Sequence, residues 1–417
     1  MRTDWDVIVV GAGLAGLAAG ATAAAGGART LVLESARPGG RARCVAKGPY
    51  VFNMGPHAFY TGGPGLAVLR ELGVRPDGVP APFPTYRLLK DGRLHTVPSG
   101  PASIARTTVL GRADKVQFAT LFGRLGLMKP ERYASMSVED WIADQNLRPG
   151  VAAVVRTIIR LATYAADTET VSAGAVIRQL QIGAKPGVLY LHGGWAQLID
   201  GLAAKVEVRP GAEVSVLEAE GGSVGVPVDG EVLRAGHVVV AAGAPAAVAS
   251  VLGGEPGWGD LGEPATGACL DLGLTRVPRP GYVLSVDGPI MGVTQSPPAR
   301  QAPEGHAVVS AIRYGATEAG ADRADLEEHV AHLGVQASDI AESRFLARMV
   351  VAGALPLAAR GGLVGRPRVT DSGRPGVTIA GDWVGPEGML ADASLASGYA
   401  AARHALAGLG RAPALVA

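Results

Sequence analysis

Three glycines near the N-terminus stand between two segments of apolar and small residues. Gly11, Gly13 and Gly16 form the motif G-x-G-x-x-G. The motif follows the apolar run 7–10, which predicts a buried strand, and overlaps the start of the small-residue segment 14–25, which predicts a helix. In such a turn the first glycine permits the tight bend, the second lets a pyrophosphate reach the backbone, and the third lets the helix pack on the strand. The helix N-terminus then offers free N–H groups to a diphosphate.

An acidic residue closes the second predicted strand. Residues 30–33 form another apolar run, and Glu34 follows it directly. A carboxylate at this place accepts hydrogen bonds from an adenosine ribose and disfavours the phosphorylated ribose of NADP. The predicted β-α-β unit therefore indicates a dinucleotide site for NAD or FAD.

A glycine pair in the stretch LESARPGGRARCV distinguishes these two cofactors. Gly39 and Gly40 stand directly before Arg41, and a planar guanidinium can meet a phosphate through two parallel hydrogen bonds. The stretch resembles the second signature of the flavoprotein superfamily that includes amine oxidases, protoporphyrinogen oxidase and phytoene desaturases. The resemblance implies that this loop wraps the diphosphate and ribityl chain of FAD.

Three further stretches continue the resemblance. FNMGPHAFY is similar to the family's loop beside the flavin, although Asn53 stands where the family often has an acid, so the role of that acid is not carried over. GAEVSVLEAE resembles the strand whose backbone contacts the adenine, which places Val214 there. HVVVAAGAPA resembles the strand and turn that close the same domain.

The C-terminal stretch AGDWVGPEGMLADASLASGYAAARHA resembles the family's last flavin motif. The resemblance implies that Gly381 and Asp382 contact ribityl or diphosphate oxygens, that the loop through Met389 and Leu390 passes the isoalloxazine ring, and that the next helix points its N-terminus at the N1/O2 edge. A helix N-terminus carries about half a positive charge, which suits the negative charge of a reduced flavin. The predicted cofactor-binding residues are Gly11, Gly13, Leu14, Ala15, Gly16, Glu34, Ser35, Gly40, Arg41, Gly55, Pro56, Val214, Gly381, Asp382, Met389, Leu390 and Ala391.

Predicted helices and strands alternate at both ends of the chain, which indicates an α/β domain built from separated segments. We expect a Rossmann-like FAD-binding domain together with a mixed α+β substrate-binding lobe. The domain is predicted to comprise residues 1–75, 190–265 and 361–417, and the lobe residues 76–189 and 266–360. Within the domain, residues 213–220 are predicted to form one strand.

Two departures from a typical amine oxidase concern the substrate. Many of these enzymes place a lysine near flavin N5 on a strand of the substrate lobe, whereas this chain has no lysine after Lys205. They also often place a tyrosine in the C-terminal loop as half of an aromatic cage, and this chain has Leu390 there. Both departures favour an apolar substrate over the ring, as in phytoene-desaturase-like enzymes. We therefore predict FAD-dependent removal of hydride from a mostly apolar metabolite, by desaturation or C–H oxidation.

Four alternatives remain open at this stage. A flavin amine oxidase and a redox-neutral flavin isomerase share the predicted cofactor. An NAD-dependent dehydrogenase would need the N-terminal motif alone. A non-enzymatic binder of the same fold is disfavoured, because the glycine motif of such proteins tends to be degraded and is intact here.

Candidate acid–base groups are His57, Tyr60, His192 and Glu387. We predict that His57 is catalytic, because the loop that carries it is expected beside the flavin ring. The stretch LYLHGGWAQL resembles the family's segment that enters the substrate cavity. The residues predicted to contact the substrate are Tyr60, Tyr190, His192, Trp195 and Trp383.

Composition disfavours several other classes of function. The 417 residues carry a formal net charge of +1 and 5% aromatic residues, so neither a basic surface nor a stacking platform for nucleic acid is expected. Cys44 and Cys269 are the only cysteines, too few for a disulfide framework or a four-ligand metal site. Glu328, His329 and His332 lie close together without a further ligand in sight, so no metal is predicted.

The predicted partners are a small-molecule substrate and an electron acceptor, whose identity the sequence leaves open between oxygen, a quinone and another acceptor. The uncharged stretch 7–28 is interpreted as a buried strand and helix and not as an export signal, because Asp4 and Asp6 replace a basic leading region. We expect a cytoplasmic protein with at most weak peripheral membrane contact.

Overall fold

A computed structural model describes residues 3–184 and 187–411, which form two seven-stranded sheets and a set of covering helices. The strands are β1 Trp5–Val10, β2 Thr30–Glu34, β3 Val45–Lys47, β4 Tyr50–Phe52, β5 Phe59–Tyr60, β6 Gly78–Pro80, β7 Arg87–Lys90, β8 Arg93–Thr96, β9 Val188–Leu191, β10 Glu207–Pro210, β11 Glu218–Glu220, β12 Ser223–Val228, β13 Glu231–Val240, β14 Ala265–Leu274, β15 Tyr282–Ser285, β16 Ile290–Ser296, β17 Ala307–Tyr314, β18 Ile340–Ala352 and β19 Val377–Ile379. The α-helices are α1 Leu14–Ala25, α2 Pro64–Glu71, α3 Pro101–Arg106, α4 Arg112–Leu125, α5 Val138–Asp144, α6 Pro149–Thr163, α7 Ala173–Ala184, α8 Ala196–Ala203, α9 Pro245–Leu252, α10 Ala319–His332 and α11 Leu390–Gly408.

The first sheet has the strand order β10-β2-β1-β13-β12-β11, with β19 paired to β13. The strands β10, β2, β1, β13 and β19 run parallel to one another, and a parallel strand is buried on both faces. Accordingly Val7 and Val9 of β1 pack toward α1 and α11, whereas Ile8 and Val10 pack toward α9 on the opposite face. The carboxyl ends of these strands meet at the glycine turn that follows β1.

Helix α11 lies directly against α1 because small residues face each other where the helices meet. A Cβ atom added at Gly398 would stand 2.1 Å from the Ala15 carbonyl oxygen, a distance that real contacts do not reach. The backbones therefore approach more closely here than any larger side chain would allow. This contact brings the C-terminal loop that precedes α11 beside the N-terminal glycine turn.

The second sheet has the order β18-β14-β17-β16-β15-β7-β8 and is antiparallel except where β15 pairs with β7. Helices α4, α5, α6 and α7 pack over one face in an apolar cluster around Trp141, Val155 and Ile177. Helix α10 covers the other face with Leu326 and Val330. The sheet thus carries a helical layer that can enclose space above it.

The α/β fold class predicted from the sequence is confirmed. The prediction of one strand over 213–220 is wrong, since Glu218–Glu220 alone forms a strand and Val214 makes an isolated bridge to Val228. The physical reason is that backbone N–H groups of this segment bond to different elements: that of Ser215 to the Pro227 carbonyl oxygen of β12, and that of Leu217 to the Val251 carbonyl oxygen of α9. The proposed domain boundaries stay a prediction.

Candidate active site

A continuous cavity of about 1980 Å³ runs from the glycine turn to helices α4, α6 and α7. Main-chain groups of the glycine turn that follows β1 line one end, together with the charged side chains of Glu34, Arg41 and Asp382. Apolar side chains line the other end, among them Phe83, Phe118, Phe122, Leu125, Ile158, Leu161 and Leu180. The cavity therefore offers a polar compartment joined to an apolar one.

The glycine turn owes its shape to backbone contacts that no side chain could share. Gly11 has φ 102°, and a Cβ atom there would lie 2.4 Å from the Ala241 carbonyl oxygen. A Cβ atom at Gly16 would lie 1.8 Å from the Gly11 carbonyl oxygen. At Gly13, by contrast, a Cβ atom would meet no protein atom within 4 Å, and this glycine lines the cavity. The turn thus leaves open space at its second glycine, where a pyrophosphate approaches in such motifs.

Glu34 is held in place beside this turn. Its Oε2 atom accepts a hydrogen bond of 2.8 Å from the Ala12 N–H group, and its Oε1 atom accepts one of 3.0 Å from the Ala36 N–H group. The carboxylate lines the cavity, and each of its oxygens can accept a further hydrogen bond. The geometry suits two ribose hydroxyls.

Arg41 and Asp382, taken from the two ends of the chain, form one ion pair. Two parallel hydrogen bonds of 2.8 Å join the guanidinium to the carboxylate, and Asp382 also accepts one from the Gly353 N–H group. The Arg41 side chain is 36% exposed, whereas that of Asp382 is 2% exposed. Because the Arg41 fork is engaged by Asp382, the predicted contact between Arg41 and a phosphate stays a prediction.

Arg366 supports the C-terminal loop through hydrogen bonds, a role that the sequence analysis did not predict. Its guanidinium donates to the carbonyl oxygens of Asp382 and Gly388, at 2.9 and 2.7 Å. Burial lowers the pKa of Arg366 to about 10, partly offset by the nearby Asp382 carboxylate. Arg366 is one of several arginines in the segment 360–374, and no motif in the sequence distinguishes it from the others. Its function becomes visible once the loop it supports is placed.

The loop that carries His57 is tied down by the Asn53 amide. Its Oδ1 atom accepts from the Trp195 N–H group at 3.0 Å, and its Nδ2 atom donates to Gln295 Oε1 at 2.9 Å. Gln295 in turn donates to the His57 carbonyl oxygen at 2.8 Å. A carboxylate could not donate the bond to Gln295. This bonding explains why an amide, not an acid, occupies position 53 in this chain.

A buried ion pair supports the same loop from the second sheet. Arg344 of β18 faces Asp271 of β14 across the strands, at 2.6 Å, and its guanidinium also donates to the Asn53 carbonyl oxygen. Burial raises the pKa of Asp271, while Arg344 and a 2.6 Å hydrogen bond from Ser310 act in the opposite direction. Removing one partner of such a pair leaves an uncompensated buried charge. The pair therefore fixes the height of the loop above the sheet.

His57 faces the cavity as a neutral imidazole. Its Nδ1–H group donates to the Gly55 carbonyl oxygen at 3.0 Å, because a carbonyl oxygen can only accept. Burial lowers the pKa of His57, opposed by hydrogen bonding to the Gly55 and Arg41 backbones. The Trp195 ring lies edge-on to the imidazole at 4.9 Å between centroids. The Nε2 atom then carries the lone pair, so this side chain can accept a proton.

The start of α11 combines a strained residue with a buried acid. Leu390 lines the cavity with φ 54°, a left-handed conformation that is uncommon for a residue with a bulky side chain. Asp392 is 3% exposed; its Oδ1 atom accepts from the Gly65 N–H group at 2.9 Å, whereas Oδ2 has no partner among the described residues. Burial raises the pKa of Asp392 to about 7.

Most of the predicted site residues line the one cavity. They are Gly11, Gly13, Leu14, Ala15, Glu34, Ser35, Gly40, Arg41, Pro56, His57, Tyr60, Tyr190, Trp195, Val214, Gly381, Asp382, Leu390 and Ala391. Gly16, Gly55 and Met389 lie behind this lining.

Two residues predicted to contact the substrate lie elsewhere. Trp383 is fully buried, donates to the Gly243 carbonyl oxygen at 2.8 Å and packs edge-on against Trp258. His192 accepts from the Arg300 N–H group and does not line the cavity. Core packing accounts for Trp383 and a backbone hydrogen bond accounts for His192, so neither residue is among the substrate contacts that we propose. Glu387, a candidate acid–base group, is exposed and also lies outside the lining.

Comparison with known families identifies the architecture. The model of the family described as flavin containing amine oxidoreductase matches residues 14–259, more than half of the 417 residues. The chain belongs to this family. A comparison with curated proteins found no match.

Several solved structures share the fold over nearly the whole chain. An oxidoreductase from Methanosarcina mazei is 18% identical, with 94% of this chain and 99% of that chain covered and a TM-score of 0.73. A putrescine oxidase bound to putrescine is 16% identical, with 97% and 99% covered and a TM-score of 0.70. Cyclohexylamine oxidase from Brevibacterium oxydans is 18% identical, with 98% and 100% covered and a TM-score of 0.69. At such identities the likeness shows the fold.

Membership of this family makes the protein an FAD-dependent oxidoreductase, and the cavity fits that cofactor. The open space at Gly13 suits a diphosphate, Glu34 suits the adenosine ribose, and Asp382 stands at the C-terminal loop. The Trp195 Nε1–H group lies buried in the lining without a partner among the described residues, so it is free to donate to a bound molecule. Within the described ranges no group of three or more His, Cys, Asp or Glu residues could hold a metal ion. Among the helices placed in residues 3–184 and 187–411, none has the length and apolar character needed to cross a membrane.

The different surroundings of Gly13 and Gly16 predict different defects for the same substitution. Gly13→Ala should fold, because its methyl group meets no protein atom, yet bind FAD at least about tenfold more weakly, because the methyl fills diphosphate space. Gly16→Ala should instead lose several kcal/mol of unfolding free energy, since its methyl would overlap the Gly11 carbonyl. The flavin-to-protein absorbance ratio and denaturant unfolding separate the two effects. Full FAD content in Gly13→Ala would contradict the assignment.

The raised pKa of Asp392 predicts that the free energy of unfolding depends on pH. Its pKa in the folded protein, about 7, lies above the unfolded value, so stability falls as pH rises from about 4 to 7, because the unfolded chain releases this proton first. The slope attributable to this residue is about 1.4 kcal/mol per pH unit. Denaturant unfolding of Asp392→Asn should lack that slope, because an amide does not titrate. The variant should still fold, because its amide oxygen can accept the hydrogen bond from the Gly65 N–H group. The control Asp144→Asn, an exposed position, should retain it. Equal slopes in Asp392→Asn and the wild type would refute the prediction.

Proposed function

We propose that the protein removes hydride from a mostly apolar small-molecule substrate, by desaturation or C–H oxidation. The observation that carries the proposal is the apolar compartment of the cavity. The charged side chains in the described lining are Glu34, Arg41, Arg43, Lys115, Glu213, Arg348 and Asp382. Lys115 lies on α4 and donates to the Ala105 carbonyl oxygen at 2.7 Å, and none of the seven comes from α6, α7 or β16. Without a charged partner there, an ionised substrate group would lose its hydration uncompensated.

The compartment is shaped by side chains of the helical layer. Phe118 and Phe122 of α4 stack at 4.3 Å between ring centroids, and Ile158 and Leu161 of α6 continue the apolar wall. Such a wall excludes water from the bound substrate and favours long or bulky apolar molecules.

Two hydrogens must leave the substrate, one as a hydride and one as a proton. FAD, when bound, supplies the acceptor for the hydride. His57 is proposed to accept the proton at Nε2, because its Nδ1–H bond to Gly55 orients the ring and burial keeps it neutral. Tyr60 and Tyr164 keep their hydrogens, since each donates to a backbone carbonyl oxygen. The substrate carbons then share the new double bond.

Oxidation of an apolar amine is the second candidate. It is favoured by the similarity to solved structures of putrescine oxidase and cyclohexylamine oxidase. Against it stand Leu390 in place of the family's frequent tyrosine and the absence of lysine after Lys205. A neutral amine with an apolar body would still meet the requirements of the cavity.

Anaerobic bleaching of the bound flavin tests the substrate class. We expect polyenes and other apolar metabolites to bleach the flavin and yield a product lighter by two hydrogens. Cyclohexylamine is expected to react more slowly and putrescine, a charged diamine, not at all. Rapid bleaching by putrescine would contradict the proposal. A product of unchanged mass without bleaching would indicate an isomerase instead.

His57→Asn tests the proposed proton acceptor. The Asn amide can keep the hydrogen bond to Gly55, yet it cannot accept a proton, so the rate of anaerobic flavin reduction should fall by about 100-fold or more. The wild-type rate should decline as pH falls through the lowered pKa of His57, and this decline should vanish in the variant. FAD content should remain unchanged. His404→Asn, at an exposed position on α11, is the matched control; an unaffected rate in His57→Asn would exclude the role.

A further inference from the structure

One buried polar side chain interrupts the apolar compartment. Gln179 of α7 is 1% exposed and lines the cavity, and neither its amide nitrogen nor its amide oxygen has a hydrogen-bond partner among the described residues. Buried polar groups in native proteins are nearly always paired. Among the described lining residues of α6 and α7, Gln179 is the one with a polar side chain. Even if one N–H group is directed at the neighbouring Tyr60 oxygen, the amide oxygen and the second N–H group are available to a molecule that enters the cavity.

Tyr60 lies beside this amide and cannot satisfy it with a hydrogen. Its hydroxyl donates to the Ala162 carbonyl oxygen at 3.0 Å, which commits the hydrogen and leaves the oxygen as an acceptor. Gly183, one turn after Gln179, allows the close approach, because a Cβ atom there would stand 3.2 Å from the Tyr60 ring. Burial raises the pKa of Tyr60 to about 12, and a side-chain hydrogen-bonding interaction with Gln179 acts in the opposite direction, as expected when an amide N–H group is directed at the Tyr60 oxygen.

The surroundings favour an uncharged partner. Tyr164, the next hydroxyl along this wall, has also committed its hydrogen, to the Pro56 carbonyl oxygen at 2.8 Å. Leu180 and Leu161 complete the local lining. A primary amide both donates and accepts, which suits an oxygen that is itself neutral. An ammonium or a carboxylate would find no opposite charge here.

We propose that Gln179 and Tyr60 form a polar subsite for a single neutral carbonyl or hydroxyl group on an otherwise apolar substrate. The Gln179 amide donates to the oxygen of that group, and a hydroxyl can in addition donate to the amide oxygen or to the Tyr60 oxygen. This subsite rests on the proposed function for its role in turnover, since it orients an apolar molecule whose hydride leaves elsewhere in the cavity. It names the substrate class more narrowly, as a neutral ketone or alcohol with an apolar body.

A matched pair of probes tests the subsite without turnover. Acetophenone and α-methylstyrene have the same shape, and the ketone oxygen of the first is replaced by a CH₂ group in the second. Titration of the FAD-loaded protein, followed by the change in the flavin absorbance spectrum, gives both dissociation constants. We expect the wild type to bind acetophenone about tenfold more tightly, because the alkene leaves the amide unpaired.

Two variants and a control make the result specific. Gln179→Met keeps the side-chain length without polar atoms and should bring the ratio of the two dissociation constants close to one. Gln179→Leu serves the same purpose should the first variant not accumulate as folded protein. Leu180→Met changes the adjacent wall without changing its polarity and should retain the wild-type ratio. Flavin content measured on each variant confirms that the cofactor end is intact.

The outcomes separate this inference from the proposed function. A wild type that binds both probes equally, or binds neither, overturns the subsite, and so does a Gln179→Met variant that keeps the preference. Bleaching by apolar metabolites together with an unchanged ratio would leave the proposed function standing and remove the subsite. Loss of preference in the variants without bleaching by any apolar compound would retain the subsite and remove the proposed function.

Discussion

The close contact between α1 and α11 is the constraint on which the cofactor end of the molecule depends. Gly398 approaches the Ala15 carbonyl so closely that any side chain would collide with it. The helix thereby carries the C-terminal loop onto the N-terminal turn, and Asp382 can pair with Arg41 across 341 positions of sequence. Neither end forms the polar compartment alone. The polar compartment, which is the candidate cofactor site, forms because two distant segments are packed against each other at backbone distance.

Two arginines with little exposure hold the loops around the cavity in place through hydrogen bonds and ion pairs. Arg366 holds two carbonyl groups of the C-terminal loop, and Arg344 holds the loop that carries His57 while pairing with Asp271. Each guanidinium is partly or wholly removed from water, which is unfavourable unless its hydrogen bonds are made. The bonds to carbonyl oxygens and carboxylates offset that cost and make alternative loop positions unfavourable. The cavity is therefore bounded by loops whose position is dictated by charge burial.

The polarity of the cavity lining changes with distance from the first sheet. Main-chain N–H groups and acids gather where parallel strands end, and aromatic and aliphatic side chains gather under the helical layer. His57 lines this cavity, and the proposed function assigns it the acceptance of the substrate proton. Gln179 interrupts the apolar part, and its amide bears on recognition because the hydroxyls of Tyr60 and Tyr164 beside it have already donated their hydrogens to backbone carbonyl oxygens.

The sequence by itself determined the glycine turn and the strand that ends at Glu34, because local spacing and backbone requirements carry that information. The association of the C-terminal stretch with FAD was implied by its resemblance to the flavoprotein superfamily and not by spacing. It did not determine β18, whose 13 residues lack an alternating burial pattern at the edge of a sheet. It also could not show that Arg41 meets Asp382, that Trp383 fills the core, or that Gln179 faces the cavity. Those facts depend on which segments the chain brings together. Burial and pairing are properties of neighbours in space, and they were decided only when the two sheets and their helices packed.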